Sequence, residues 1–277
     1  MTIAQALREA AANLAHASIT PRLDAELLMA HALKVSRSDL LLRHMDRVVP
    51  EGFAELIARR AAHEPIAYLL GEESFHGLTF KVGHGVLIPR PDSEVLVEAA
   101  LASRPDARTV LACGTGSGAL LLAVLSQLPD AQGVGVDRSP EALAVARHNA
   151  QALGLESRTR IERADWDQPG WADKLGGPFA LILANPPYVE TQAALEASVR
   201  QYEPAGALFA GEDGLDAYRV LIPQIPGLFA PGGQAFFEIG ATQADAVRML
   251  ADDAGLAMTL HCDLAERPRV AQLSLEN

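Results

Sequence analysis

Apolar positions in the first part of the chain recur at helical spacing. Ile3, Leu7 and Leu14 share one face of a helix whose start Thr2 and Gln5 can cap reciprocally. Thr20 followed by Pro21 marks a second start, because proline is tolerated in a first turn where its missing N–H has no partner to lose. Ser36 with Asp39 marks a third, and 51–62 reads as a fourth helix that ends before Pro65. The period then changes, and 75–82 alternates like a strand pair. Beyond it, apolar runs at 109–113, 132–136, 159–163, 179–184 and 234–239 alternate with helical stretches, and 256–262 and 269–275 read as two final strands. The run 179–184 is apolar throughout, which fits a strand buried on both faces. This order predicts an α/β fold with a doubly wound, mostly parallel sheet, preceded by a small N-terminal helical domain. The expected boundaries are 1–72 for the helical domain, 73–91 for a β-hairpin linker and 92–277 for the α/β domain.

Directly after the run at 179–184 comes Asn185-Pro186-Pro187-Tyr188. An open α/β sheet places its ligands beyond the carboxyl ends of its strands, so a polar residue there faces a crevice. Asn185 offers a carbonyl oxygen that accepts from an N–H. Neither proline has an N–H, and both fix φ. The result is a stiff turn rich in carbonyl acceptors with a phenol at its end. It suits a planar NH2 group held by its two hydrogens while the nitrogen stays free. Asn-Pro alone is an ordinary turn signal; all four residues after a buried strand are much more specific.

A second constellation lies upstream. A short apolar run ending at Cys113 leads into Gly114-Thr115-Gly116-Ser117-Gly118 and then a helical stretch. Glycines permit positive φ and close approach of a ligand to the backbone. About twenty residues on, the next strand ends in Asp137, where a carboxylate can take ribose hydroxyls. The glycines read GxGxG rather than the GxGxxG of dinucleotide sites, which favours S-adenosylmethionine over a pyrophosphate-bearing cofactor.

Taken together, the two motifs resemble those of class I (Rossmann-like) S-adenosylmethionine-dependent methyltransferases acting on NH2 groups. Further segments narrow the resemblance. Residues 87–94, Leu-Ile-Pro-Arg-Pro-Asp-Ser-Glu, are similar to the LIPRPDTE signature of the release-factor glutamine N5-methyltransferases (PrmC/HemK type), with Ser93 for threonine. The hairpin at 75–82, Tyr202-Glu203-Pro204, the stretch 207–216 and the helical segment 21–28 follow in family order, so the resemblance spans nearly the whole chain. It implies methyl transfer from S-adenosyl-L-methionine to the side-chain amide nitrogen of the glutamine in the GGQ motif of class I peptide chain release factors. On this reading Asn185, Pro186 and Tyr188 are catalytic, and Asn185, Pro186, Pro187 and Tyr188 bind the substrate amide. Gly114, Thr115, Gly116, Ser117, Gly118, Asp137, Asp165, Trp166 and Asn185 contact the cofactor, with the Trp166 indole stacked on its base. The helical domain is expected to recognise substrate. One departure is Ala112, where the family usually has aspartate; losing one charge-assisted hydrogen bond costs about 1.5–3 kcal/mol of cofactor affinity.

Composition bears on the alternatives. Two cysteines, Cys113 and Cys262, give no disulfide framework, and no histidine pairing has metal-ligand spacing, so no metal is expected. No leader or spanning segment is evident, and a cytoplasmic monomer without membrane contact is expected. Residues 1–90 hold ten Lys/Arg and ten Asp/Glu, so the whole net charge of -12 falls on the remainder. A domain that grips phosphates carries a basic footprint instead. That argues against direct nucleic-acid binding and against the rival reading, an adenine or cytosine N-methyltransferase, whose exocyclic amine the NPPY turn would hold equally well. A ribosomal-protein glutamine methyltransferase and a non-catalytic cofactor-binding protein are the other rivals. Gly232-Gly233-Gln234 duplicates the tripeptide of release factors, but after Pro231 it reads as a turn entering a strand.

Overall fold

The computed structural model describes residues 1–276. It divides into two compact units, Met1–Glu72 with Leu195–Tyr202, and Glu73–Ala194 with the chain from Glu203 onward. The stretch 73–91, expected as a linker, lies in the second unit, while a short segment from the middle of the α/β region lies in the first.

The first unit holds α1 (Ile3–Leu14), α2 (Pro21–Leu33), α3 (Arg37–Arg43), α4 (Phe53–Ala61) and α5 (Ile66–Leu70). Thr2 and Gln5 form the expected capping box, and Ser36 accepts from the Asp39 N–H at 3.0 Å. The fourth helix begins at Phe53 rather than 51, because Gly52 sits at φ 83 and turns the chain before it. The fifth helix was not evident from the sequence; α4 stops at Ala61, and Pro65 stands at the N-cap of the next helix. Ile3, Leu7, Leu14, Leu28, Met29 and Leu40 form the core. Beneath it, Glu26 is held by Arg22 at 2.6 Å and Arg37 at 2.8 Å, and Asp24 by Arg60 at 2.7 Å.

The second unit opens with a hairpin, β1 (Glu72–Phe75) and β2 (Leu78–Lys81), followed by α6 (Glu94–Ser103). Then come β3 (Thr109–Cys113), α7 (Ala119–Gln127), β4 (Gln132–Asp137), α8 (Pro140–Ala152), β5 (Thr159–Arg163) and β6 (Phe179–Ala184). A helix α9 (Ala197–Tyr202) belongs to the first unit, where the Tyr202 hydroxyl donates to the Ala62 carbonyl at 2.8 Å. The chain ends with α10 (Asp216–Leu221), β7 (Phe229–Glu238), α11 (Ala244–Asp253), β8 (Leu256–Cys262) and β9 (Pro268–Leu275).

Seven strands form one sheet in the order β5-β4-β3-β6-β7-β9-β8. The first five are parallel; β9 and β8 add antiparallel at the edge. Alternate residues of the apolar runs supply two cores. Val110, Ala112, Leu181 and Leu183 pack on α6, α7 and α8, whereas Leu111, Cys113, Ile182 and Ala184 pack on α10 and α11. Helices therefore cover both faces, as the fully apolar strands require. Strand β7 starts earlier than the pattern suggested. Its pairing with β6 slips between Phe179 and Leu181, and the Gly232-Gly233-Gln234 stretch lies in that irregularity. A Cβ on Gly233 would stand 2.7 Å from the Phe179 carbonyl oxygen, so only glycine fits there. None of the described helices is long and apolar enough to cross a membrane.

Candidate active site

Strand order reverses between β3 and β6, with β4 and β5 on one side and β7 on the other. At such a switch point the loops leaving adjacent strands part and open a crevice. The loop after β3 carries the glycines, and the loop after β6 carries Asn185. A cavity of about 490 Å3 opens there, lined wholly by residues of the second unit. Gly114, Thr115, Gly116, Ser117, Asp137, Asp165, Trp166, Asn185 and Pro187 line it. Gly118, Pro186 and Tyr188 do not: Gly118 caps α7 at φ 86, Pro186 is buried, and the Tyr188 hydroxyl donates to Glu238 at 3.2 Å.

The glycine loop is held from several sides. Thr115 N–H donates to the Val136 carbonyl at 2.8 Å, and Gly116 N–H to an Asp137 carboxylate oxygen at 2.9 Å. The other Asp137 oxygen accepts the Ser139 N–H at 2.9 Å. Each oxygen thus keeps a lone pair for a further donor. Gly114, at φ 67, lies so near Trp166 that an added Cβ would stand 3.1 Å from the indole. The buried side chain of Asn149, on α8, donates to the carbonyls of Ser117 at 2.8 Å and Lys81 at 3.0 Å, and accepts from the Lys81 N–H. It ties the β1–β2 hairpin to the loop. Thr115 Oγ1 is buried without a partner among the described residues.

The segment 87–94 reaches the same cavity, through Leu87, Pro89, Arg90 and Ser93. Its anchor is Glu203, a buried carboxylate that accepts from the Ile88 N–H at 3.2 Å and pairs with Arg90. Reading the sequence missed Glu203 as an anchor, although it stood in the Tyr-Glu-Pro signature. It missed Glu238 and Gln243 as well. Glu238, at the carboxyl end of β7, accepts from Ser93 and Tyr188, and burial pushes its carboxyl above the usual range. The signal available was a lone carboxylate closing the apolar run Phe236-Phe237. Gln243 donates to the Tyr188 carbonyl at 3.1 Å and the Gly214 carbonyl at 3.2 Å, fixing the far end of the NPPY turn. Burial, with the neighbouring Glu238 carboxylate, raises the Tyr188 phenol, so it stays a neutral donor. Cys113, at the end of β3, is fully buried, and burial pushes its thiol up to about 12. It is an inert core residue.

Residues 5–71 match the PrmC N-terminal domain, and residues 106–269 a methyltransferase domain. The release factor glutamine methyltransferase of Cereibacter sphaeroides is 43% identical over 284 residues, covering 99% of each chain. That of Moorella thermoacetica is 44% identical over 263 residues, covering 92% of this chain and 91% of its own. The chain belongs to the release factor glutamine methyltransferase family. Among solved structures, a methyltransferase from Pyrococcus furiosus matches with a TM-score of 0.52 at 15% identity, over 71% of this chain and 88% of its own. The ribosomal protein L11 methylase from Lactobacillus delbrueckii matches with a TM-score of 0.50 at 20% identity, over 68% of this chain and 81% of its own. These two share the fold of this family's methyltransferase domain. The expected fold class, a class I methyltransferase sheet behind a PrmC-type helical domain, is therefore correct.

Proposed function

We propose that this protein methylates the side-chain amide nitrogen of a glutamine, the one in the GGQ motif of class I peptide chain release factors, with S-adenosylmethionine as methyl donor. The observation that carries the reading is the shared cavity. Asp137 and the glycine loop form one wall of it, and Asn185 the other, across the switch point of a methyltransferase sheet. The full-length relatives named for this activity supply the substrate.

The residues present fit the cofactor. A cavity of about 490 Å3 lies within the range of small-molecule sites, about 300–1,000 Å3. Asp137 keeps acceptor capacity for ribose hydroxyls, Thr115 Oγ1 waits for a partner, and the Trp166 indole offers a flat apolar face. Ala112 is buried within β3 and takes no part in the lining, so other groups must hold the amino-acid end. When bound, S-adenosylmethionine supplies an activated methyl group on a sulfonium. The protein's task is to present an amide nitrogen, a poor nucleophile, in line and at about 3–3.5 Å. Asn185 Oδ1 accepts one N–H of that amide; the Pro186 carbonyl was expected to take the other, but Pro186 is buried and does not line the cavity. As positive charge grows on the nitrogen the Asn185 oxygen binds it more strongly, which lowers the barrier. Pro187 narrows the cavity beside Asn185. Tyr188 acts from behind the turn, through its hydrogen bond to Glu238.

The acidic balance of residues 91–277 favours a protein substrate over phosphate-rich nucleic acid. Incubation with methyl-labelled cofactor tests the reading, offering recombinant release factor, duplex DNA and ribosomal protein side by side. Label confined to the GGQ glutamine is the expected outcome. Label on DNA or on ribosomal protein alone would replace the proposal.

A further inference from the structure

An asparagine side chain carries an acceptor on one side and donors on the other. Only the acceptor can hold a substrate N–H, so catalysis depends on which way the Asn185 amide is turned. Its Nδ2 donates to Ser93 Oγ at 3.4 Å. A hydroxyl has one proton to give, and Ser93 gives it to Glu238 Oε2. Its lone pair is therefore free to accept from the Asn185 NH2, and that NH2 is drawn away from the substrate side. Glu238 is in turn held by Tyr188, whose hydroxyl donates to Oε1 at 3.2 Å, and its backbone carbonyl accepts from Tyr218 at 2.7 Å. The five groups come from four elements: Ser93 from the turn before α6, Glu238 from the end of β7, Asn185 and Tyr188 from the loop after β6, and Tyr218 from α10. Ser93 and Glu238 are both buried.

We propose that Ser93 and Glu238 are positioning residues for methyl transfer, a hydroxyl–carboxylate pair that turns the Asn185 carbonyl oxygen into the cavity. The proposal rests on the function assigned to the cavity above. Nothing in it requires either residue to touch the substrate. The direction of the chain is set by its last member: an ionised carboxylate can only accept, so every proton in the relay points toward Glu238. Once Glu238 is protonated it can donate to Ser93. The Ser93 proton is then released to face Asn185, and the amide is better satisfied with its oxygen turned inward and its NH2 presented to the substrate.

Turnover should therefore be lost as pH falls through the titration of Glu238. Burial raises that carboxyl, and the hydrogen bonds from Ser93 and Tyr188 and the charge of Arg269 oppose the rise. Besides Ser93 and Tyr188, the groups facing it are Asp92 on the turn that bears Ser93, Arg269 of β9 and Tyr218 of α10. Arg269 is itself shared with Asp92 at 2.9 Å and Asp263 at 3.4 Å.

The test compares wild type, Ser93→Ala, Ser93→Thr and Glu238→Gln in the full-length enzyme. Methylation of intact release factor gives kcat and KM across pH, and titration gives the dissociation constant of S-adenosylhomocysteine. Ser93→Ala should lower kcat roughly tenfold or more with the dissociation constant unchanged, and Ser93→Thr should recover most of the loss by restoring the hydroxyl. Glu238→Gln should abolish the acid limb of the kcat profile, since a carboxamide does not titrate. Equal kcat in Ser93→Ala and wild type, or an unaltered acid limb in Glu238→Gln, would overturn the proposal. Should Glu238→Gln not fold, the Ser93 pair decides alone. Side-chain amide resonances of Asn185, assigned by their loss in Asn185→Asp, separate this idea from the assigned function because they need no substrate. They should shift between wild type and Ser93→Ala, and identical resonances would remove Ser93 from orienting Asn185 even if the true substrate were another.

Discussion

The Gly116 N–H donates to the Asp137 carboxylate at 2.9 Å, across 21 residues of chain and two parallel strands. The glycine loop and the acidic strand end, two separate motifs in the sequence, are thus one hydrogen-bonded unit. Asp137 does two things at once: it holds the loop against β4 and presents its remaining lone pairs to the cavity.

Asp137→Ala is therefore expected to weaken S-adenosylhomocysteine binding more than it weakens the fold. Losing charge-assisted hydrogen bonds costs about 1.5–3 kcal/mol, or roughly ten- to a hundredfold in affinity. Calorimetric titration measures it. An unchanged dissociation constant would reduce Asp137 to a brace for the loop.

For Asn185→Ala the expectation is different: cofactor affinity largely kept, kcat lowered roughly tenfold or more. One amide hydrogen of the substrate would be left unpaired in a desolvated site, a cost of about 1–3 kcal/mol. Turnover near wild type in the folded variant would take Asn185 out of the chemistry.

Gly114→Ala probes the close approach of loop and indole. The position has φ 67, and the new methyl would stand 3.1 Å from Trp166. Left-handed backbone costs a non-glycine residue about 1–2 kcal/mol, and Trp166 must also shift. Weaker S-adenosylhomocysteine binding with altered indole fluorescence is expected. Wild-type affinity and emission together would mean that Trp166 is not part of the cofactor site.

How much of this could be read from the sequence depended on range. The glycine loop, Asp137 and Asn185 declare themselves because each follows a recognisable apolar strand. Periodicity fixed the parallel strands and the first helices for the same reason. Glu203 and Glu238 were hidden because their partners lie 113 and 145 residues away, and no local pattern records a pairing at that distance. Strand β7 began early because its bulge interrupts the alternation at Gly232 and Gly233. The allegiance of Leu195–Tyr202 to the helical unit was equally invisible: it follows from packing, and its own composition says nothing of it.

Glu26 sets a pH dependence in the helical unit. Burial tends to raise its carboxyl, but hydrogen bonds from Arg22 and Arg37 outweigh that and hold it below the usual range. A carboxyl lowered by folding contributes stability above its unfolded pKa and loses it as pH falls through the folded value. Glu26→Gln should thus cost about 1–2 kcal/mol near neutrality, a modest figure because both arginines are nearly half exposed. The gap to wild type should close under acid. Denaturant unfolding from pH 7 down to below the carboxylate range measures it, and a gap independent of pH would assign the effect to packing.

The last prediction concerns what the helical unit is for. It matches the PrmC N-terminal domain, holds nine Lys/Arg against ten Asp/Glu, and contributes none of the residues that line the cavity. It also leaves large apolar side chains in water: Leu42 at the end of α3 and Val48 beyond it are each 81% exposed. An amide on a protein loop must be delivered to a crevice, and a second unit can add contact area without approaching the methyl group. Truncation at Glu73 is a poor test, because it strips Tyr202 of the Ala62 carbonyl and leaves α9 without the helices it packs with. The paired substitution Leu42→Ser with Val48→Ser leaves the core intact, since neither side chain belongs to it. It should raise KM for intact release factor several-fold, with kcat and S-adenosylhomocysteine affinity unchanged, because truncating surface anchors weakens binding alone. A short glutamine-containing peptide, which offers only the residues next to the amide, should show no change. Unaltered KM for the intact factor would remove this surface from recognition, and a fall in kcat for the peptide would place the helical unit in the chemistry instead.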